Sequence, residues 1–139
     1  LEMITVWAAL ESMAARLAAT HASPAELKGL RRLFNEFERE PLAAHVHEYS
    51  QANIVFHQAV IRMGGNALIV DMTENLFLHM RAIRAVSIRQ ENRFEASMHE
   101  HIAIIDALER RDPDLAERLV REHTMGLAAH VEKHGVFPE

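Results

Sequence analysis

Apolar residues recur at helical spacing along almost the whole chain, and nowhere do they alternate as a half-buried strand requires. In the first segment they fall at 3, 6, 10, 13, 14 and 17, the positions of one helix face. "HASPAEL" then breaks the pattern and starts another helix. Ser23 reads as its N-cap, Pro24 as its first residue, and Glu26 completes a capping box. The second helix carries Leu27, Leu30, Leu33, Phe34 and Phe37, and ends before "EREPLA". A third is expected over about 45–63, with Ala52, Val55, Phe56, Ala59, Val60 and Met63 inward. Gly64 or Gly65 closes it in the left-handed conformation, and Asn66 caps the next. The spacing predicts one long fourth helix over about 67–88, with Leu68, Met72, Leu76, Met80, Ile83 and Val86 on its buried side. "RQENRFEAS" reads as a loop or frayed turn, and a fifth helix runs to about Arg110. Asp112 and Pro113 begin a last helix that reaches about His134. The expectation is an all-α antiparallel bundle of six helices, folded as one domain over 1–139.

Composition narrows the chemistry. The 139 residues are 49% hydrophobic, enough for a packed core. There is no cysteine, so any metal must be held by His, Asp, Glu or amide oxygens. No apolar run approaches the roughly 18 residues of a membrane span. Glu2, Glu11 and Arg16 interrupt anything like a signal peptide, so a cytoplasmic protein with no membrane partner is expected. The formal net charge of −5 and the lack of a basic run argue against this chain gripping nucleic acid by itself.

Ten histidines is the unusual count. Asn53 and His57 lie one helical turn apart, on the side of Phe56 and Val60. His101 falls in the stripe of Met98, Ile105 and Leu108, and His123 in that of Ala116, Leu119, Val120 and Leu127. The turn between the last two helices centres near Arg111 and Asp112. His101 and His123 both sit roughly 15–17 Å from it, so in an antiparallel hairpin they are level. Asn53, His57, His101 and His123 can thus converge as four metal ligands inside a bundle. Imidazole suits zinc, nickel, copper or ferrous iron, with zinc or nickel the leading choices. Three imidazoles and an amide leave the ion's charge uncompensated and favour an exchangeable anion such as a carboxylate. A single histidine on an apolar face is more commonly a hydrogen-bonded core residue, and Asn53 with His57 can be a simple buried pair. On spacing alone the metal site and that plainer reading stand level. His130 and His134 form a rival pair near the chain end; His45 and His47 sit at a helix start on different faces, and His99, two from His101, faces solvent. His79 lies beside the core stripe of the fourth helix and can line the cavity.

"NIVFHQAVIRMGGNALI" and "HEHIAIIDALERRDPDLAERLVREH" together resemble the C-terminal effector domain of FadR-type GntR transcription regulators, the FCD domain. The matching positions are Asn53, Phe56, His57, Gly65, Asn66, Glu100, His101, Ala107, Leu108, Asp112 and His123, and the opening helices are similar too. The resemblance implies six or seven antiparallel helices and a divalent metal held by an Asp and three His. It also implies a small carboxylate effector, a homodimer, and DNA binding only through a winged helix-turn-helix that would precede residue 1. Two positions depart from the pattern. Asn53 stands where many members have Asp, and Trp7 where the first helix often has Arg. Arg81 and Arg84 are then the candidate cations for a ligand carboxylate, with Trp7 as pocket wall or core. Such a domain senses a metabolite and needs no catalysis. The rival readings are a metal-dependent enzyme acting on a small carboxylate and a structural dimerisation module with no metal. Against the enzyme, Glu100 is expected to point outward and no other carboxylate stands beside the ligands.

Overall fold

The structure is a computed structural model that describes residues 1–35, 37, 46–87 and 93–134. Seven helices are present among them: α1 Glu2–His21, α2 Pro24–Asn35, α3 Val46–Met63, α4 Ala67–Glu74, α5 Phe77–Ser87, α6 Arg93–Glu109 and α7 Pro113–His134. The expected break at "EREPLA", the start of the third helix at His45, Ile88 at the end of the expected fourth helix, and residues 89–92 of the expected loop lie outside the described residues. No described helix is long and apolar enough to cross a membrane.

Local chemistry sets the boundaries. Ser23 N–H donates to Glu26 Oε1 at 2.9 Å while Glu26 N–H donates to Ser23 Oγ at 3.1 Å, the reciprocal capping box. Asn66 and Asp112 accept from the amides of Ile69 and Leu115, three residues on. Gly65 takes the left-handed turn with φ of 70°. Arg111 also has positive φ, and its guanidinium donates to the carbonyl of Ala22 at 2.5 Å, closing the C-terminal end of α1.

α1 is the central helix. It packs most extensively on α7 and also meets α3, α4 and α6. Its buried face is mostly alanine (Ala8, Ala14, Ala15, Ala18, Ala19), which lets its neighbours come close. Gly64 shows how close: a Cβ there would lie 2.8 Å from the carbonyl oxygen of Ala14. Two apolar clusters result. One gathers Phe34, Tyr49, Phe56, Ile105 and Val120; the other gathers Ile4, Trp7, Ile61, Met80, Leu127 and Val131. On α3 and α7 the polar residues His57, His123 and Thr124 fall between members of the two clusters, so a buried polar seam separates them.

The expected long fourth helix is two. The ladder ends at Glu74, where Thr73 Oγ1 donates to the carbonyls of Ile69 and Val70 and Asn75 Nδ2 donates to that of Asp71. Such side-chain competition interrupts a helix. The break changes the phase of the buried stripe. Ile69 and Thr73 are buried on α4, and Met80, Ile83 and Arg84 on α5, while Leu68 (67% exposed), Met72 and Val86 face out. Val6, Met13 and Val55, expected inward, are also exposed. α6 begins at Arg93, so part of the expected loop "RQENRFEAS" is helical.

Gly64→Ala should cost about 1–3 kcal/mol, because backbone rather than a flexible side chain stands in the way. Gly29→Ala, with open space around it in α2, should be neutral or stabilising by up to about 1 kcal/mol. Urea midpoints of the two variants check the contrast.

Candidate metal centre

His57 of α3, His101 of α6 and His123 of α7 meet in the seam. One nitrogen from each lies within 4.8 Å of the others. All three rings are buried, and their packing is aromatic. His57 stacks on His123 at 5.3 Å, and His101 is stacked on Phe34 and tilted against Phe56.

The outer nitrogen of each ring is tied to a different group. His57 Nδ1 meets Glu11 Oε2 at 2.5 Å. His101 Nδ1 meets the Tyr49 hydroxyl at 2.8 Å, which in turn meets Ser97 Oγ at 2.7 Å. His123 Nδ1 meets Glu100 Oε1 at 2.6 Å. With the Nδ1 atoms so engaged, the Nε2 atoms are the ones left for the centre. His57 Nε2 is buried with no hydrogen-bond partner among the described residues, and so is Asn53 Oδ1. His101 Nε2 and His123 Nε2 face each other at 3.2 Å. Two ligands of one tetrahedral zinc, each at about 2.0–2.1 Å, would stand roughly 3.3 Å apart.

Protons decide what this arrangement is. If both Nδ1 atoms donate outward, the facing Nε2 atoms present lone pair to lone pair, and only a cation relieves them. If instead Tyr49 O–H donates to His101, then His101 Nε2–H can donate to His123, and no ion is needed there. The Tyr49 hydroxyl can serve either state, since Ser97 can accept from it or donate to it. The orphaned His57 Nε2 and Asn53 Oδ1 are satisfied by neither tautomer, and both fit a metal ligand set.

Charge surrounds the centre in balanced pairs. Glu11 is fully buried and takes Trp7 Nε1–H at 2.7 Å on the oxygen that also faces Arg84 at 3.5 Å. Arg84 lies over the Trp7 ring, 5.5 Å from its centroid. Glu100 accepts from both terminal nitrogens of Arg93 at 3.2 and 3.3 Å. Burial raises the Glu11 carboxyl above its ordinary value, opposed by Arg84 and the Trp7 N–H. Burial also pushes up on Glu100, but the His123 and Arg93 donors outweigh it and leave that carboxyl below its ordinary value. Burial, reinforced by Arg84, holds His57 well below the ordinary imidazole value; burial with His123 does the same to His101. His123 is lowered too, by burial working against Glu100.

Asn53, Arg84, Arg93, Ser97, His123, Thr124 and Leu127 line a cavity with about 10 Å³ of free space, room for one water-sized particle. Of the other expected residues, Trp7 is buried beneath Arg84 and also walls a separate cleft of about 110 Å³ with Ile61, Val70 and Phe77. Arg81 and His79 are exposed, because α5 turns Met80, Ile83 and Arg84 inward and these two flank that stripe. Glu100 is the clear correction. It does not point away, because it sits on the flank of α6 that meets α7, where His123 reaches it. Sequence reasoning also passed over Glu11, Tyr49, Ser97, Arg93 and Thr124. Glu11 left a signal: it is a charge in step with Ile4, Ala8, Ala15 and Ala18 on the alanine face.

The fold and the buried triad define an all-helical domain with a ligand-ready imidazole centre. The chain matches the FCD domain over residues 2–125 and belongs to that family. It is 29% identical over 117 residues to the HTH-type transcriptional repressor NanR of Cronobacter sakazakii, covering 81% of this chain and 44% of the relative. It is 28% identical over 124 residues to a probable D-xylose utilization operon transcriptional repressor of Paenarthrobacter nicotinovorans, covering 88% and 53%. The chain thus spans about half the length of these curated relatives. Among solved structures it shares the fold of E. coli McbR/YncC, with a TM-score of 0.81 at 18% identity over 97% of this chain and 65% of that one.

The lowered histidines give a pH prediction. Their imidazoles stay neutral in the folded state after the unfolded chain has begun to take up protons near pH 6.5. Stability is therefore full above that value and lost as pH falls below it, by up to about 1.4 kcal/mol per histidine per pH unit. Glu11 works in the opposite sense, but three groups outweigh one. In chelator, the thermal midpoint should be lower at pH 5.5 than at pH 7.5; an equal or higher midpoint contradicts the assignment.

Proposed function

We propose that this chain is the effector-sensing domain of a transcription regulator, and that it binds a divalent metal and a small carboxylate in its polar seam. The observation that carries the reading is the orientation of the three imidazoles, each with its outer nitrogen engaged and its inner nitrogen aimed at a common point. Outer acceptors of this kind fix ring orientation and strengthen a metal ligand. His57, His101 and His123 would hold the ion, with Asn53 as a neutral fourth ligand. Zinc or nickel suits that donor set. The similarity to transcriptional repressors supports a regulatory role, exercised through a DNA-binding part outside these residues and in a homodimer.

Charge balance supports the carboxylate. Arg84 and Arg93 are offset by Glu11 and Glu100, so a divalent ion on three neutral imidazoles brings two positive charges that nothing in the seam cancels. An anion beside the ion restores neutrality, and Arg84 is the inward-facing cation to receive it. Water activation is a weaker reading. Glu11 and Glu100 are each committed to a histidine and an arginine, so neither is placed as a base on the inner side.

Protein purified without a histidine tag should take up one equivalent of zinc or nickel per chain. His57→Ala, His101→Ala and His123→Ala should each abolish or strongly weaken it, and Asn53→Asp should strengthen it. Small carboxylates should raise the thermal midpoint by mass action more with metal than with chelator. A wild type that stays metal-free after incubation with either ion contradicts the proposal.

A further inference from the structure

We propose that Arg93 is a latch shared by the two ligands: an anion entering the seam draws it off Glu100, and its release tightens the metal. The inference rests on the metal reading above and concerns how the anion and the ion communicate.

Arg93 is the first residue of α6 and lies two turns before Glu100. Its two bonds to Glu100, at 3.2 and 3.3 Å, are long for an ion pair, which ordinarily closes to about 2.7–2.9 Å. The bond from His123 Nδ1 to the same carboxylate is short, 2.6 Å. Glu100 therefore sits nearer His123 than Arg93, whose two bonds are the longer ones. Arg93 also lines the cavity that Asn53, Arg84, Thr124 and His123 share. Thr124 Oγ1, like Asn53 Oδ1, is buried with no hydrogen-bond partner among the described residues. With about 10 Å³ free in it, this cavity has no room for a carboxylate until a side chain moves. The Arg93 guanidinium, whose bonds to Glu100 are the longer ones, is the side chain whose movement makes room and supplies a fork for the carboxylate at once.

The consequence runs outward to the metal. While Arg93 sits on Glu100 it drains the carboxylate's negative charge and adds a cation near the ion. When a carboxylate takes Arg93, the full charge of Glu100 falls on the His123 N–H, and His123 becomes a better ligand. The anion also screens the guanidinium. Anion and metal thus strengthen each other, and by linkage the effect is reciprocal.

The test is zinc affinity, by competition with a chromophoric chelator at fixed pH and ionic strength, with and without acetate as the probe anion. In the wild type, acetate should tighten zinc. Arg93→Gln should bind zinc alone more tightly than the wild type, by roughly threefold to thirtyfold, and acetate should add less to it, because only Arg84 and the ion's own charge remain to receive the anion. A residue that merely supports the fold would weaken zinc when replaced. Zinc affinity in Arg93→Gln that is unchanged or lower overturns the proposal. So does an acetate effect of full size after the substitution, or a wild type indifferent to acetate. If Arg93→Gln fails to fold by far-ultraviolet circular dichroism, Arg93→Lys replaces it. It keeps the charge and loses the fork, so zinc alone should tighten by less than about threefold and the acetate effect should shrink; an acetate effect of full size overturns the latch. A wild type that binds no zinc at all is a different result and removes the metal reading itself.

Discussion

A buried layer of polar and ionised groups in the middle of an apolar bundle is the constraint that organises this molecule. Every such group must find partners or cost several kcal/mol. Glu11 shows the solution. One fully buried carboxyl serves His57, Trp7 and Arg84, and so joins α1, α3 and α5. Truncating either member of a buried ion pair leaves the other uncompensated, at a cost of about 3–5 kcal/mol. The seam is thus expensive to build and costly to disturb. What it gains is three imidazoles in fixed orientation, held from behind by Glu11, Tyr49 and Glu100.

The fold was legible where local chemistry decides it. The capping box at Ser23 and Glu26, the Asn66 and Asp112 caps, and the left-handed Gly65 all stand where the sequence puts them. The long fourth helix failed because periodicity alone does not register a threonine bonding back to its own helix; Thr73 and Asn75 split it and rotate Leu68, Met72 and Val86 outward. The level placement of His101 and His123 was readable from hairpin arithmetic, and the 3.2 Å between their Nε2 atoms agrees with it. Their supports were harder to see. Glu11 belongs to a distant helix, 46 residues from its histidine, and Glu100 lies on a flank whose neighbour no single helix reveals.

The Arg84 guanidinium is supported from α1. Trp7 carries no charge, yet its ring lies under the Arg84 guanidinium and its N–H holds the carboxylate that pairs with Arg84. Cation–π support and an ion pair together aim one cation into the seam from α5. Arg93 brings a second from α6. The positive charge that a ligand would meet therefore comes from α5 and α6, and each guanidinium is leashed to a carboxylate that also orients an imidazole. The proposed metal and anion sites would share one network.

In the proposed centre, His57, His101 and His123 hold one ion through Nε2 while their Nδ1 atoms keep protons for Glu11, Tyr49 and Glu100. Long-range proton–nitrogen NMR correlation of the histidine rings, before and after one equivalent of zinc, reads each nitrogen directly. Zinc should shift all three Nε2 resonances to metal-bound values and leave all three Nδ1 atoms protonated. Rings that keep a proton on Nε2 in the presence of zinc would contradict it.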